Sequence, residues 1–93
     1  MEYEWDPEKN ESNLSKHRID FSDAISVFDD PHRFEVDATR PEHGEQRSKT
    51  IGGMGPVVIA VIFTIRGGRR RIISARRAPI DERRTYDQGT AQQ

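Results

Sequence analysis

Residues 57–65 read Val57-Val58-Ile59-Ala60-Val61-Ile62-Phe63-Thr64-Ile65, a nine-residue run in which only Thr64 is polar. It is mostly β-branched and apolar at odd and even positions alike, which is the pattern of a central strand covered on both faces. A membrane-spanning helix needs about 20 such residues, so no membrane span is expected. Gly67-Gly68 can supply the two positive-φ positions of a tight hairpin turn, and Arg69 to Arg77 should therefore return antiparallel. Pairing Arg66 with Arg69 sets Phe63 opposite Ile72, Val61 opposite Ser74 and Ile59 opposite Arg76. In that register Arg76 shares a face with Ile59, Val61 and Phe63, while Arg77 shares the other with Val58, Ala60 and Ile62. Neither guanidinium can lie flat on aliphatic neighbours without a polar outlet for its head group.

On the amino-terminal side, Tyr3 and Trp5 alternate with Glu2, Glu4 and Asp6, which suits a short strand. Asp6 can cap a helix from Pro7 to about His17, since Pro7 fits its first turn and Glu8 opposes its positive end. Leu14 is the sole large aliphatic residue of that helix, so tertiary contacts or a partner must hold it. Asp20 or Ser22 can cap a second helix carrying Ala24, Ile25, Val27 and Phe28, and Asp30-Pro31 ends it. His32 to Asp37 alternates again as a strand, Ala38 to Glu45 reads as loop, and Gln46 to Ile51 as a third strand. Gly52-Gly53-Met54-Gly55-Pro56 is expected to turn the chain into the central strand. Beyond the hairpin, Pro79 opens a last helix from Ile80 to about Asp87, with Asp81 and Glu82 in its acidic first turn. Glu82, Arg83 and Tyr86 can share one side of it. The order is strand, helix, helix, four largely antiparallel strands and a helix: a small α+β domain over residues 1–88, with Gly89 to Gln93 as a frayed tail.

The 93 residues include no Cys, which excludes a disulfide-stapled secreted mini-fold and makes the cytoplasm the default compartment. Leu, Ile, Val and Phe make up about one residue in five, at the edge of what can build a core. The 15 basic and 16 acidic side chains nearly cancel, but they are segregated: the first 46 residues carry a balance of −8 and the rest +7. Twelve of the basic residues are Arg, whose planar fork matches pairs of phosphate oxygens, so a polyanion is a partner to consider.

His17, His32 and His43 form no chelating pair on one element, and there is no metal motif, no nucleophile elbow and no glycine loop leading directly into a helix. What remains is an arginine-rich phosphate site. Arg66, Arg69, Arg70 and Arg71 could act as an electrostatic lure or simply as a solvated edge that blocks aggregation. Arg76, Arg77, Arg83 and Arg84 would lie nearer any chemistry. His17 could shuttle protons or merely complement a helix end. His32 and His43 read as surface or loop residues, and Glu82 with Arg83 could be no more than an acidic turn and a surface pair.

The run Trp5-Asp6, Lys9, Asn13, Lys16-His17, Ile19, Phe21, Ala24, Val27-Phe28, Asp30-Pro31, then Gly44-Glu45-x-Arg47, Ile51-Gly52, Ile72-Ile73-Ser74-Ala75-Arg76, Glu82-Arg83 and Tyr86 resembles the BrnT toxin family. The resemblance covers about residues 3 to 87. It implies a RelE-like fold and the toxin half of a type II toxin–antitoxin pair, a small ribonuclease that stops translation. It also implies a BrnA-like ribbon-helix-helix antitoxin, in a complex of two toxins and two antitoxins that reaches operator DNA only through the antitoxin and represses its own operon. The chain departs from the pattern at Arg18, where the family usually has Gly after Lys-His, and at Pro79 ahead of the last helix.

With the resemblance, the residues point to RNA cleavage without metal or cofactor, in which a general base frees a ribose 2′-hydroxyl and arginines stabilise the growing phosphate charge. Arg76 and Arg83 are the expected phosphate clamp, and Glu82, His17 and Tyr86 compete for proton transfer. Lys16, Arg47, Arg69, Arg70, Arg71 and Arg77 are the expected RNA contacts. Two other readings are an inert module that serves the antitoxin as partner and corepressor, and a simple nucleic-acid-binding domain.

Overall fold

The computed structural model describes residues 1–91. Its elements run β1 (Tyr3–Trp5), α1 (Pro7–His17), α2 (Phe21–Ala24) continuing as a 3-10 turn (Ile25–Asp29), β2 (Phe34–Asp37) and a second 3-10 turn (Pro41–His43). They continue with β3 (Ser48–Met54), β4 (Val57–Arg66), β5 (Arg69–Arg77) and α3 (Ile80–Ala91). The strands form one sheet in the order β1-β5-β4-β3-β2, antiparallel except where β1 joins β5 in parallel. The fold is α+β. Gln92 and Gln93, the end of the expected tail at 89–93, lie outside the described residues.

β4 has the central place that its composition predicts. Ile59, Val61 and Phe63 point to a core closed by Ile19, Phe21, Ala24, Val27 and Phe28, joined by Ile72 and Ala75. On the other face Ala60 meets Ile51, Ala78, Phe34, Val58 and Tyr86. The chain thus fits a core with few aliphatic residues by burying β4 on both sides. Gly67 and Gly68 take φ of 55° and 75°, as the hairpin requires.

The hairpin register differs from the expected one. Phe63 pairs with Ile72, but Ile62 pairs with Ser74, Val61 with Ala75, Ala60 with Arg76 and Ile59 with Arg77. β5 takes up one extra residue opposite the Ile62–Phe63 step, and past this bulge its side chains exchange faces. The physical reason lies in the core: the bulge puts Ala75, fully buried, opposite Val61 where the expected register would bring the polar Ser74, and it leaves Arg77 opposite Ile59 only at the exposed end of the strand, on the other face from the expected one. Arg76 therefore stands on the face of Ala60 and Ile62, the reverse of the expected side.

Gly52 and Gly53 do not turn the chain; β3 continues through Met54 and only Gly55-Pro56 turns. These glycines make room. A Cβ on Gly52 would come 2.5 Å from Val27 Cγ2, and one on Gly53 would come 3.2 Å from Asp30 Oδ2 and 3.3 Å from the Tyr86 hydroxyl. β2 starts two residues later than expected because Asp30 holds His32 and Arg33 in a turn: its carboxylate accepts from His32 N–H at 2.9 Å, and its carbonyl from Arg33 N–H at 3.2 Å. β3 begins at Ser48 because Arg47 is already bonded to the loop, its carbonyl to Ala38 N–H and its N–H to the Thr39 hydroxyl. α3, expected to end near Asp87, continues to Ala91.

α1 is capped by Asp6, whose carboxylate accepts from Glu8 N–H at 2.9 Å. It ends on Arg18 in the left-handed conformation, φ 60°, the only described non-glycine residue at positive φ. The second helix is capped by Asp20 rather than Ser22. Leu14 stays exposed, and a polar residue, Asn13, is what α1 buries against β5.

Candidate functional site

The basic hairpin and the acidic amino terminus meet directly. β1 lies beside β5 with Glu4 in register with Arg71, and Arg71 bonds Glu4 at 2.7 Å while Arg69 bonds Glu2 at 3.0 Å. Arg70 turns inward, its guanidinium 4.1 Å from the Phe28 ring centroid and its Nη1 donating to the Tyr3 hydroxyl at 3.3 Å. Arg66 and Arg47 both pair with Glu45, at 2.9 and 3.1 Å. Of the residues expected to attract RNA, Arg69, Arg70 and Arg71 are thus engaged inside the protein.

Arg76 is placed differently. It lines a cleft of about 510 Å³ on the α3 face of the sheet, with Arg40, His43, Arg47 and Lys49 around it and Asp37 and Thr39 on the rim. The bulge of β5 brings it there, beside Ile62 of β4. β3 contributes Lys49, which shares a face with Ile51 two residues on. Arg40 and His43 come from the loop after β2, where Pro41 starts a 3-10 turn and Gly44, at φ 65°, ends it. Arg76 makes no ion pair with any described residue. Asp37 is held as a carboxylate below its ordinary pKa by the hydroxyl and N–H of Thr39.

Glu82, in the first turn of α3, pairs with Lys49 through Oε2. Its Oε1 is buried and has no hydrogen-bond partner. A carboxylate with an unused acceptor therefore stands beside the cationic cleft. His43 carries a similar feature, a buried Nδ1 with no partner.

The other expected site residues fall elsewhere. Arg83 lines a separate cleft of about 340 Å³ with Arg77, Pro56, Val57, Val58 and Asp87, so Arg76 and Arg83 do not share one cleft. Lys16 and His17 line a third, of about 200 Å³, with Lys9, Ser12, Asn13, Ile73 and Ser74. Tyr86 donates its hydroxyl to Asp30 Oδ2 at 2.5 Å, and the same oxygen accepts from Gly53 N–H at 2.7 Å. The bond to Asp30, together with burial and the nearby carboxylates, raises the Tyr86 pKa from 10.0 to about 12. Burial works to raise the pKa of Asp30, but the bonds from Tyr86, Gly53 and His32 outweigh it and leave the carboxyl lowered. This arrangement ties α3 to β3 and to the end of the first 3-10 turn.

Sequence reading passed over Arg40 and Lys49 and took His43 for a surface or loop residue. Lys49 was legible as the polar residue on the same strand face as Ile51. His43 had a weaker signal, its place between Pro41 and Gly44 in a tight turn. Among the described residues no three His, Asp or Glu side chains gather as a metal site. No described helix is long and apolar enough to cross a membrane.

A mixed sheet carrying a cationic cleft beside a buried carboxylate defines a small α+β domain equipped to hold an anion. Residues 5–82 match the family of the ribonuclease toxin BrnT of type II toxin–antitoxin systems. The chain belongs to that family. The matched span includes the cleft residues and Glu82, and stops short of Arg83 and Tyr86. No curated protein matches the chain closely enough to count as a relative.

Proposed function

We propose that the protein is a toxin that cleaves RNA in the Arg76 cleft without a metal, and that its reaction is transfer of the phosphodiester to the neighbouring 2′-hydroxyl. The observation that carries this reading is Arg76, a cation without an ion-pair partner among the described residues, set among three further cations, of which Lys49 pairs with Glu82, whose Oε1 has no partner. A lining of Arg40, Arg47, Lys49 and Arg76 favours a polyanion and opposes a divalent cation, which supports metal-free chemistry. A bound phosphate draws Lys49 from Glu82, and the freed carboxylate accepts the 2′-hydroxyl proton. The O2′–P bond forms, the P–O5′ bond breaks, Arg76 and Arg47 hold the charge that builds on the phosphoryl oxygens, and the leaving 5′-oxygen takes a proton from solvent. Arg77 and Arg83, and separately Lys16 and His17, are outlying RNA contacts. Tyr86 is a tie for α3 in this reading, because its hydroxyl is committed to Asp30.

The family's type II character supports an antitoxin partner, which we take to be a BrnA-like ribbon-helix-helix protein. Two toxins and two antitoxins would form the complex that represses the operon, with the toxin reaching operator DNA only through its partner. RNA cleavage by the free toxin then stops translation in the cytoplasm. The test is incubation of purified protein with RNA in EDTA. Fragments ending in 2′,3′-cyclic phosphate are expected. Loss of cleavage on chelation would end the metal-free reading, and undiminished cleavage by Arg76→Ala would end the assignment of the cleft.

A further inference from the structure

From the buried Nδ1 of His43 we infer that this residue is a further catalytic group of the proposed cleft, acting as a neutral hydrogen-bond donor to a phosphoryl oxygen and not as a proton-transfer group. The inference rests on the RNA-cleaving reading above for its substrate, but its structural basis is independent of it. A neutral imidazole carries one N–H and one lone pair, and the environment of each nitrogen decides which is which. Nδ1 of His43 is buried and meets neither donor nor acceptor. An N–H buried there would forfeit its hydrogen bond, and a buried bare lone pair is the lesser loss. The proton therefore belongs on Nε2, the nitrogen left to meet a group in the cleft that His43 lines.

The charges around the ring favour the same role. Arg40, Arg47, Lys49 and Arg76 face the cleft as cations and Asp37 as an anion, while Glu45 and Glu82 stand behind Arg47 and Lys49. A neutral donor fixed among cations suits an oxygen whose negative charge grows in the transition state. The proton inventory of the reaction is unchanged: the 2′-hydroxyl proton goes to Glu82, the 5′-oxygen takes its proton from solvent, and His43 keeps its own.

Two measurements test this. The first is ¹⁵N NMR of the histidine rings in the free protein at pH 8, where an imidazole is neutral. A His43 signal of the Nε2–H tautomer is expected, and an Nδ1–H tautomer would overturn the inference. This arm needs no activity, so it stands or falls separately from the cleavage reading, which fails if the wild-type protein leaves RNA intact. The second is kinetics at the same pH. His43→Ala should lower kcat by on the order of 100-fold with little change in KM, the usual effect of losing one oxyanion donor. His43→Gln, whose amide donates from nearly the same place but cannot titrate, should recover most of that loss. Full activity of His43→Ala, or a His43→Gln variant as slow as His43→Ala, would overturn the donor role.

Discussion

The side chain of Asn13 completes the hydrogen bonding of Ala75: its amide donates to the Ala75 carbonyl at 2.8 Å and accepts from the Ala75 N–H at 3.1 Å. β1 pairs with β5 only as far as Ile72, so the edge of β5 beyond it would otherwise be unpaired. Asn13 continues the ladder with one side chain, and its amide also donates to Ile19 O at 3.0 Å, fixing the link from α1 to the second helix. The residue is 6% exposed. Asn13→Ala should therefore destabilise the protein by about 3 kcal/mol, since it leaves buried backbone groups without partners. Asn13→Asp should do at least as much at neutral pH, because it sets a carboxylate against two carbonyl oxygens. Urea unfolding of both variants checks this.

Tyr86→Phe should cost about 1 kcal/mol and change how stability depends on pH. The Tyr86 pKa is raised from 10.0 to about 12, so the stability it contributes is complete below pH 10 and is lost as pH climbs toward 12. Asp30 has a lowered pKa, so its contribution is complete above about pH 4 and is lost as the solution becomes more acid. Unfolding followed across pH should show both losses in the wild type. In the variant the alkaline loss should be smaller, and the acid loss should be smaller and end at higher pH, because Asp30 has lost one of the bonds that favour its charge.

Arg18→Gly should stabilise the protein by about 1 kcal/mol. The residue holds φ 60° at the end of α1, where a side chain is strained and glycine is not. For a domain of this size that is a rise in Tm of roughly 4–8 °C, measurable by thermal unfolding.

Gly52→Ala should destabilise by about 1–3 kcal/mol, as its methyl group would come 2.5 Å from Val27 Cγ2 in a packed layer. Gly53→Ala, whose nearest neighbours lie at 3.2 and 3.3 Å, should be milder. Thermal unfolding of the pair gives the order.

Salt dependence separates the arginines. In a titration of RNA affinity against salt, Arg76→Ala should lower the slope by about one. Arg71→Ala should leave it nearly unchanged, because Arg71 is paired with Glu4 at 2.7 Å.

What the sequence made legible is local. The largely apolar run of nine residues from Val57 announced β4, Gly67-Gly68 announced the hairpin, and Asp6-Pro7 announced the start of α1. What it hid depends on residues far apart. The bulge in β5 sets Ala75 in place of Ser74 against the Phe21, Val27 and Phe28 layer, and no periodicity within β5 records that layer. Gly52-Gly53 resembles a turn until the 3-10 segment that packs on it is known. The cleft gathers the loop after β2, β3 and β5, so Lys49 and His43 gain meaning only beside Arg76. Charge was legible as a split between halves, but not as the pairing of Glu2 and Glu4 with Arg69 and Arg71.

That pairing sets the order in which the molecule can be completed. Glu4 and Arg71 are 67 residues apart, and β1 has no strand to join until β5 exists. During synthesis β1 is made well before its place in the sheet, and α3, with Glu82, comes later still. Loop closure over such a distance is slow compared with forming the β4–β5 hairpin. A chain that has not yet presented β5 and α3 thus has neither a closed sheet nor a complete cleft.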